Sequence, residues 1–180
     1  IPRLREASAS VSGTLLAGDP VLFVTDNDND GSLSQAILME FVKCLPADIR
    51  DLVHVEYAQP IGSARGLTIE VVDKAVQARG WSENASFTIV TADNGINNRG
   101  EQEKIAARYP NSKLVITDHH NPDPRSVVLE NARTVVFNPK YLPTEYFKRK
   151  NISGADTLGV LLTTTVDDIN KAVPPPDFRD

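Results

Sequence analysis

The stretch "VLFVTDNDNDGSLS", residues 21–34, decides the fold. Its first part, Val21 to Val24, is a short apolar run preceded by "GDP", which reads as a buried strand. Its second part alternates Asp26, Asp28 and Asp30 with asparagines and stops at Gly31. Oxygen donors at this spacing gather around a cation. A calcium loop of the EF-hand type fits at positions one, three, five and six counted from Asp26, but its twelfth position, which requires a bidentate Glu, is Ile37. An EF-hand loop also leaves a helix, whereas this one leaves a strand. Asp, Asn and Gly equally make an ordinary solvated turn, so the aspartates need support from elsewhere in the chain.

That support comes from recurrence. Apolar, β-branched runs return at 52–58 ("LVHVEYA"), 87–92 ("FTIVTA"), 113–117 ("KLVIT") and 134–138 ("TVVFN"). Between them the patterning is helical. Leu38, Phe41, Val42 and Leu45 fall on one stripe, "TIEVVDKAVQARG" ends in the C-cap residue Gly80, and "RGEQEKIAARY" makes a more polar helix. A further helix opens with Ser153 and Asp156 at capping-box spacing. Strands alternating with helices predict an α/β fold, a mostly parallel sheet flanked by helices in Rossmann-like topology. Three strands end alike, at Asp26, Asp93 and Asp118, and ligands of open α/β sheets bind beyond the carboxyl ends of the strands. Gly31 and Gly95 permit the tight turns that follow, and His119 and His120 follow Asp118 directly. Carboxylates mixed with imidazole suit Mn²⁺ or Mg²⁺ better than structural zinc. Several carboxylates hold two ions about 3.5–4 Å apart, the arrangement of phosphoryl-transfer sites.

The composition fits an enzyme domain. The chain has 180 residues, 41% hydrophobic, with a formal net charge of −5. That balance argues against a domain that merely coats nucleic acid. A single cysteine, Cys44 in "FVKCLP", excludes an intrachain disulfide and is expected to pack against its apolar neighbours. No apolar run reaches the length of a membrane span, and no signal peptide is visible, so no membrane partner and a reducing, cytoplasmic setting are expected. The chain opens on Ile1 rather than Met and closes on "AVPPPDFRD", which reads as a fragment or a processed chain. Residues 1–19 are expected as a lead-in, 20–168 as the catalytic domain, and 169–180 as a proline-rich tail or linker to a second domain.

With these motifs in order, the sequence resembles the DHH phosphoesterase family, named for the triad that stands here as Asp118-His119-His120. It is most similar to the RecJ branch of single-strand-specific 5′→3′ exonucleases. "TDNDNDGSLS", "TADNGI" and "VITDHHNPDP" match three family motifs, while "VFNPK", "NISGADTLGVLL" and "YAQPIGSARGLT" resemble weaker ones. The resemblance implies metal ligation by Asp26, Asp28, Asp30, Asp93 and His119, with Asp93 bridging two ions, Mn²⁺ or Mg²⁺. It implies that His120 contacts the scissile phosphate or protonates the leaving oxygen, and that Asp118 orients a histidine. Water activated between the ions would attack phosphorus in line and leave a 5′-phosphorylated product. Arg65, Asn94 and Gly95 complete the candidates as substrate-binding residues.

The sequence also departs from the family. No residue clearly matches the aspartate of a fourth motif; Asp156, Asp167 and Asp168 are available in a different context. A second domain or a partner chain is expected to complete the site. Single-stranded nucleic acid or a short oligonucleotide is the expected partner, with Lys148, Arg149 and Lys150 or Tyr141, Tyr146 and Phe147 as candidate contacts or as plain surface and core. Adjacent residues on an extended segment point to opposite sides, so at most one of His119 and His120 need be a ligand. His54 reads as a hydrogen-bonded sheet residue. Alternative activities are hydrolysis of short oligonucleotides, cyclic dinucleotides, pyrophosphate or polyphosphate, or a non-catalytic scaffold in a replication or repair assembly.

Overall fold

The computed structural model describes residues 1–58, 66–141 and 152–173. In chain order the elements are α1 (Pro2–Leu16), β1 (Val21–Thr25), α2 (Asn29–Lys43), α3 (Ala47–Arg50), β2 (Val53–Tyr57), α4 (Ile69–Ala78), β3 (Phe87–Ala92), α5 (Arg99–Arg108), β4 (Ser112–Thr117), β5 (Thr134–Phe137) and α6 (Gly154–Ala172). A 3₁₀ turn, Pro139–Tyr141, follows β5. The five strands form one parallel sheet in the order β2-β1-β3-β4-β5. All five strands expected from the sequence are present.

The centre of the sheet is covered on both faces, which is why β1 and β3 are buried at every position and mostly apolar rather than apolar at alternate ones. Along β1, Val21 and Phe23 face one layer and Leu22 and Val24 the other. The first layer packs against α1, α2 and α6, through Val11, Leu38, Phe41, Leu158 and Leu161 among others. The second packs against α4 and α5, through Val72, Val76 and Ile105. Phe23 is fully buried and meets the Phe41 ring edge-on at 6.1 Å. Truncating such a side chain typically costs about 3–5 kcal/mol.

Several expectations are corrected. Residues 1–19 are no mere lead-in: Leu4, Ala7, Val11 and Leu15 of α1 are buried in the first core layer. α2 begins at Asn29, inside the acidic run rather than after it. Cys44 caps the end of α2 and is exposed, because the helix turns it away from the sheet. α6 continues to Ala172, past the expected domain end at 168. His54 is a sheet residue as expected, on β2 opposite Leu22 of β1, with its ring edge-on to Trp81, 5.1 Å away. Gly80 does take the left-handed conformation expected after α4, at φ 65°. Among the described residues no helix is long and apolar enough to cross a membrane.

Strand order locates the site. From β1 the chain moves outward to β2, then returns to the other side of β1 for β3 and continues to β5. The order therefore reverses between β1 and β3, and a crevice opens beyond their carboxyl ends at such a switch point. Asp26 follows β1 and Asp93 follows β3.

Candidate metal centre

The turn after β1 is held by its own acids. Asp28 is the N-cap of α2, and its Oδ1 accepts the Gly31 N–H at 2.9 Å. A carboxylate there satisfies an otherwise unpaired helix N–H and lies at the positive end of the helix dipole. Asp26 Oδ1 accepts the Asn27 N–H at 2.8 Å. Gly31 is required by crowding: a Cβ there would overlap the carbonyl of Asp26. The helix thus starts against the strand end, and the loop leaves a strand and enters a helix, unlike an EF-hand.

Asp93 is the most unusual residue of the chain. It is 1% exposed and adopts φ 66°, the single left-handed non-glycine conformation among the described residues. Such backbone strain concentrates at functional sites. Its Oδ1 is buried without a hydrogen-bond donor. Burial raises its pKa to about 7, and the neighbouring charges of Asp30, Asp28 and Asp118 add to the shift. The first acidic motif and the second strand end therefore converge on one point.

The third strand end supplies the imidazoles. Asp118 is 1% exposed, and its Oδ1 accepts the backbone N–H groups of His119 and His120 at 2.7 and 3.1 Å. Its Oδ2 accepts the Ile96 N–H at 2.9 Å, tying this loop to the one after β3. The same Oδ1 accepts His120 Nδ1–H at 2.7 Å, and this bond is the main cause raising the His120 pKa to about 9. By curling the backbone around its carboxylate, Asp118 brings both rings to the same side, 4.7 Å apart and edge-to-face. The expectation that the two histidines point to opposite sides is corrected: the segment is coiled, not extended. Asn138, from the "VFNPK" segment, donates to the His120 carbonyl at 3.0 Å.

His119 Nε2 lies 3.1 Å from Asp93 Oδ1 and 3.9 Å from Asp30 Oδ2. Its Nδ1 is 2.9 Å from the Ile152 carbonyl. A carbonyl only accepts, so Nδ1 carries the proton, and in the neutral ring Nε2 is a bare lone pair. With Asp93 ionised, its Oδ1 and Asp30 Oδ2 face the Nε2 lone pair across a half-buried gap, an arrangement that a cation satisfies. Asp93, His119 and His120 also offer ligand atoms within 4.8 Å of one another. The donor set of hard carboxylate and imidazole fits Mn²⁺ or Mg²⁺.

The remaining candidates fall elsewhere. Asn94 is buried, and its amide donates to the carbonyls of Val24 and Ala92, both at 2.9 Å, which pins the ends of β1 and β3 together. Gly95 turns the chain at φ 101° beside Thr91 and Ile116. Asp156 is occupied in the capping box of α6, and Asp168 accepts from Ser8 Oγ at 2.6 Å. Arg65, Tyr146, Phe147, Lys148, Arg149 and Lys150 lie outside the described residues, and Tyr141 is exposed. One contributor is not foreseen from the sequence: Gly154, at the start of α6, donates its N–H to Asp30 Oδ2 at 2.9 Å. Its only signal is the small-residue helix start "SGAD".

An acidic switch-point site with a D-H-H loop defines a class, and the comparison with known families agrees. Residues 20–172 match the family model described as DHH family, N-terminal domain, and the chain belongs to that family. Among solved structures, exonuclease RecJ bound to manganese is similar at TM-score 0.67 and 24% identity, over 96% of this chain and 38% of that one. The DHH domain of a member of a family of ribosomal proteins is similar at TM-score 0.64 and 18% identity, over 94% and 40%. These likenesses are of fold, and the chain spans about two fifths of each structure's length. A search of curated proteins finds no match.

Proposed function

We propose that this chain is the catalytic unit of a metal-dependent phosphodiesterase acting on single-stranded nucleic acid from the 5′ end. The observation that carries the reading is the convergence of Asp30, Asp93 Oδ1 and His119 Nε2 on one point at the β1/β3 switch. Two Mn²⁺ or Mg²⁺ ions would activate a water and stabilise the leaving oxygen of phosphoryl transfer. The similarity of fold to a manganese-bound exonuclease supports the choice of metal and of reaction.

The chain's own residues divide the work. Asp30, Asp93 and His119 bind, with Asp28 and Asp26 lining the first motif beside them. His120 has Nδ1 engaged by Asp118, which leaves Nε2 to contact a phosphate oxygen or to deliver a proton to the leaving oxygen. Asp118 positions His120 and both backbone N–H groups of the loop, and excludes water from beneath it. Residues 20–168 with the rest of α6 form the catalytic unit, and α1 completes its core; a second domain or partner would grip the longer strand.

The test is hydrolysis with Mn²⁺ on single strands labelled at either end, alongside dinucleotides, cyclic dinucleotides and pyrophosphate. Mononucleotides released first from the 5′ end are expected. Cleavage of the small substrates alone would transfer the reading to a short-oligonucleotide or small-phosphoester hydrolase. Mn²⁺ binding with no hydrolysis of any substrate would leave a scaffold.

A further inference from the structure

Two backbone groups reach the metal centre from the far end of the chain. The Ile152 carbonyl meets His119 Nδ1 at 2.9 Å, and the Gly154 N–H donates to Asp30 Oδ2 at 2.9 Å. Between them Ser153 caps α6 through a complete capping box with Asp156, which fixes the direction in which the helix begins. Gly154 also stands where no side chain fits: a Cβ there would overlap the Asp93 carboxylate at Oδ1. Elsewhere in the same helix Gly159 has room, since a methyl added there would meet only Ile37 Cδ1, at 3.9 Å. The crowding is therefore specific to the helix start.

We infer that the Ile152–Gly154 segment is the positioning device of the metal centre, presetting two ligands and admitting a third before any ion is present. The inference rests on the metal reading of the site given above. Each contact has a separate effect. The Ile152 carbonyl holds the His119 proton on Nδ1, so the lone pair of Nε2 faces the gap. The Gly154 N–H turns one oxygen of Asp30 toward α6 and fixes the carboxylate plane. The missing side chain at 154 lets α6 close down on Asp93. Groups that hold ligands in this way typically contribute about 10–100-fold in metal affinity. Gly154 is accordingly a positioning residue and touches no reacting atom.

Three measurements on the whole chain test the inference. Long-range ¹H–¹⁵N NMR of the metal-free protein should place the neutral His119 proton on Nδ1; a proton on Nε2 overturns the proposal. Calorimetry with Mn²⁺ should show Gly154→Ala binding about 10–100-fold more weakly than wild type, with Gly159→Ala equal to wild type. Equal Mn²⁺ binding by Gly154→Ala overturns the inference and leaves the metal reading standing. No Mn²⁺ binding by wild type removes that reading and the inference with it. Should Gly154→Ala fail to fold, amide exchange decides. The first-turn N–H of Gly154 has no partner within its helix, so it should exchange slowly in wild type and faster in Asp30→Ala. Unchanged exchange there overturns the proposal.

Discussion

His119 Nε2 stands 3.1 Å from Asp93 Oδ1, two groups brought together from the ends of β4 and β3. When the ring is neutral its proton faces Ile152, so the only proton the pair can share is the one burial holds on Asp93, and once Asp93 ionises two lone pairs face each other. A buried carboxylate oxygen without a donor ordinarily destabilises a fold by a few kcal/mol. The sheet holds this pair in place through extensive core packing on both faces. The strain is local and lies where a cation would relieve it.

Asp93→Asn should therefore have opposite effects on folding and on binding. Ionised Asp93 is disfavoured in the metal-free fold, as its pKa of about 7 shows. At pH 8 with EDTA, the neutral amide should stabilise the protein by about 2–4 kcal/mol. Asn also tolerates the left-handed backbone. The same substitution should abolish Mn²⁺ binding in calorimetry. A variant that melts lower than wild type and still binds Mn²⁺ would remove Asp93 from the site.

Metal should cancel the Asp93 part of the pH dependence of stability. In the metal-free fold Asp93 titrates at about 7, above its ordinary value of 3.8, so stability falls as pH rises from about 4 to 7. His120 titrates at about 9, above 6.5, so its contribution is complete below 6.5 and is lost as pH rises through 9. Mn²⁺ must displace the Asp93 proton, so its apparent affinity should rise about tenfold per pH unit up to 7 and then level. Titration calorimetry in two buffers of different ionisation enthalpy measures the released proton. Affinity that is flat from about pH 5.5 to 7 would contradict the assignment.

The sequence makes the three strand-end acids legible because each follows from local facts: an apolar run, a turn, and the rule that sites lie at the carboxyl edge. Long-range consequences are not legible in that way. The Asp30–Gly154 bond joins residues 124 apart, and nothing in "SGAD" points to Asp30. The shared direction of His119 and His120 depends on Asp118 capturing two backbone N–H groups, which residue alternation does not foresee. α1 is missed because its buried face mixes Ser8, Ser12 and Thr14 with Ala7 and Val11, so its apolar stripe is faint. The five strands of a doubly covered sheet, by contrast, declare themselves as short apolar runs.

The paired histidines should separate by readout. His119→Ala removes a candidate ligand and should weaken Mn²⁺ binding directly. His120→Ala should leave Mn²⁺ binding nearly intact, because its Nδ1 belongs to Asp118. It should lower kcat by about 10²–10³, the usual loss when a transition-state contact is removed. Calorimetry and steady-state kinetics on both variants check the division. Loss of metal binding in His120→Ala alone would exchange the two roles.

Gly31→Ala tests whether the first motif is held by backbone crowding or only by its carboxylates. The added methyl would overlap the Asp26 carbonyl, a backbone group that cannot move without shifting the end of β1. The start of α2 must then retreat, carrying Asp28 and Asp30 with it, since Asp28 caps the helix through the Gly31 N–H itself. Overpacking of this kind typically costs about 1–3 kcal/mol, against a gain of at most about 1 kcal/mol from replacing Gly by Ala in a helix. Thermal unfolding in EDTA should show a net loss, and Mn²⁺ affinity should fall further than stability does, because the ligands move while the core layers remain. A variant that is more stable than wild type and binds Mn²⁺ equally would show that the first turn of α2 is free to adjust, and that the carboxylates alone set the geometry.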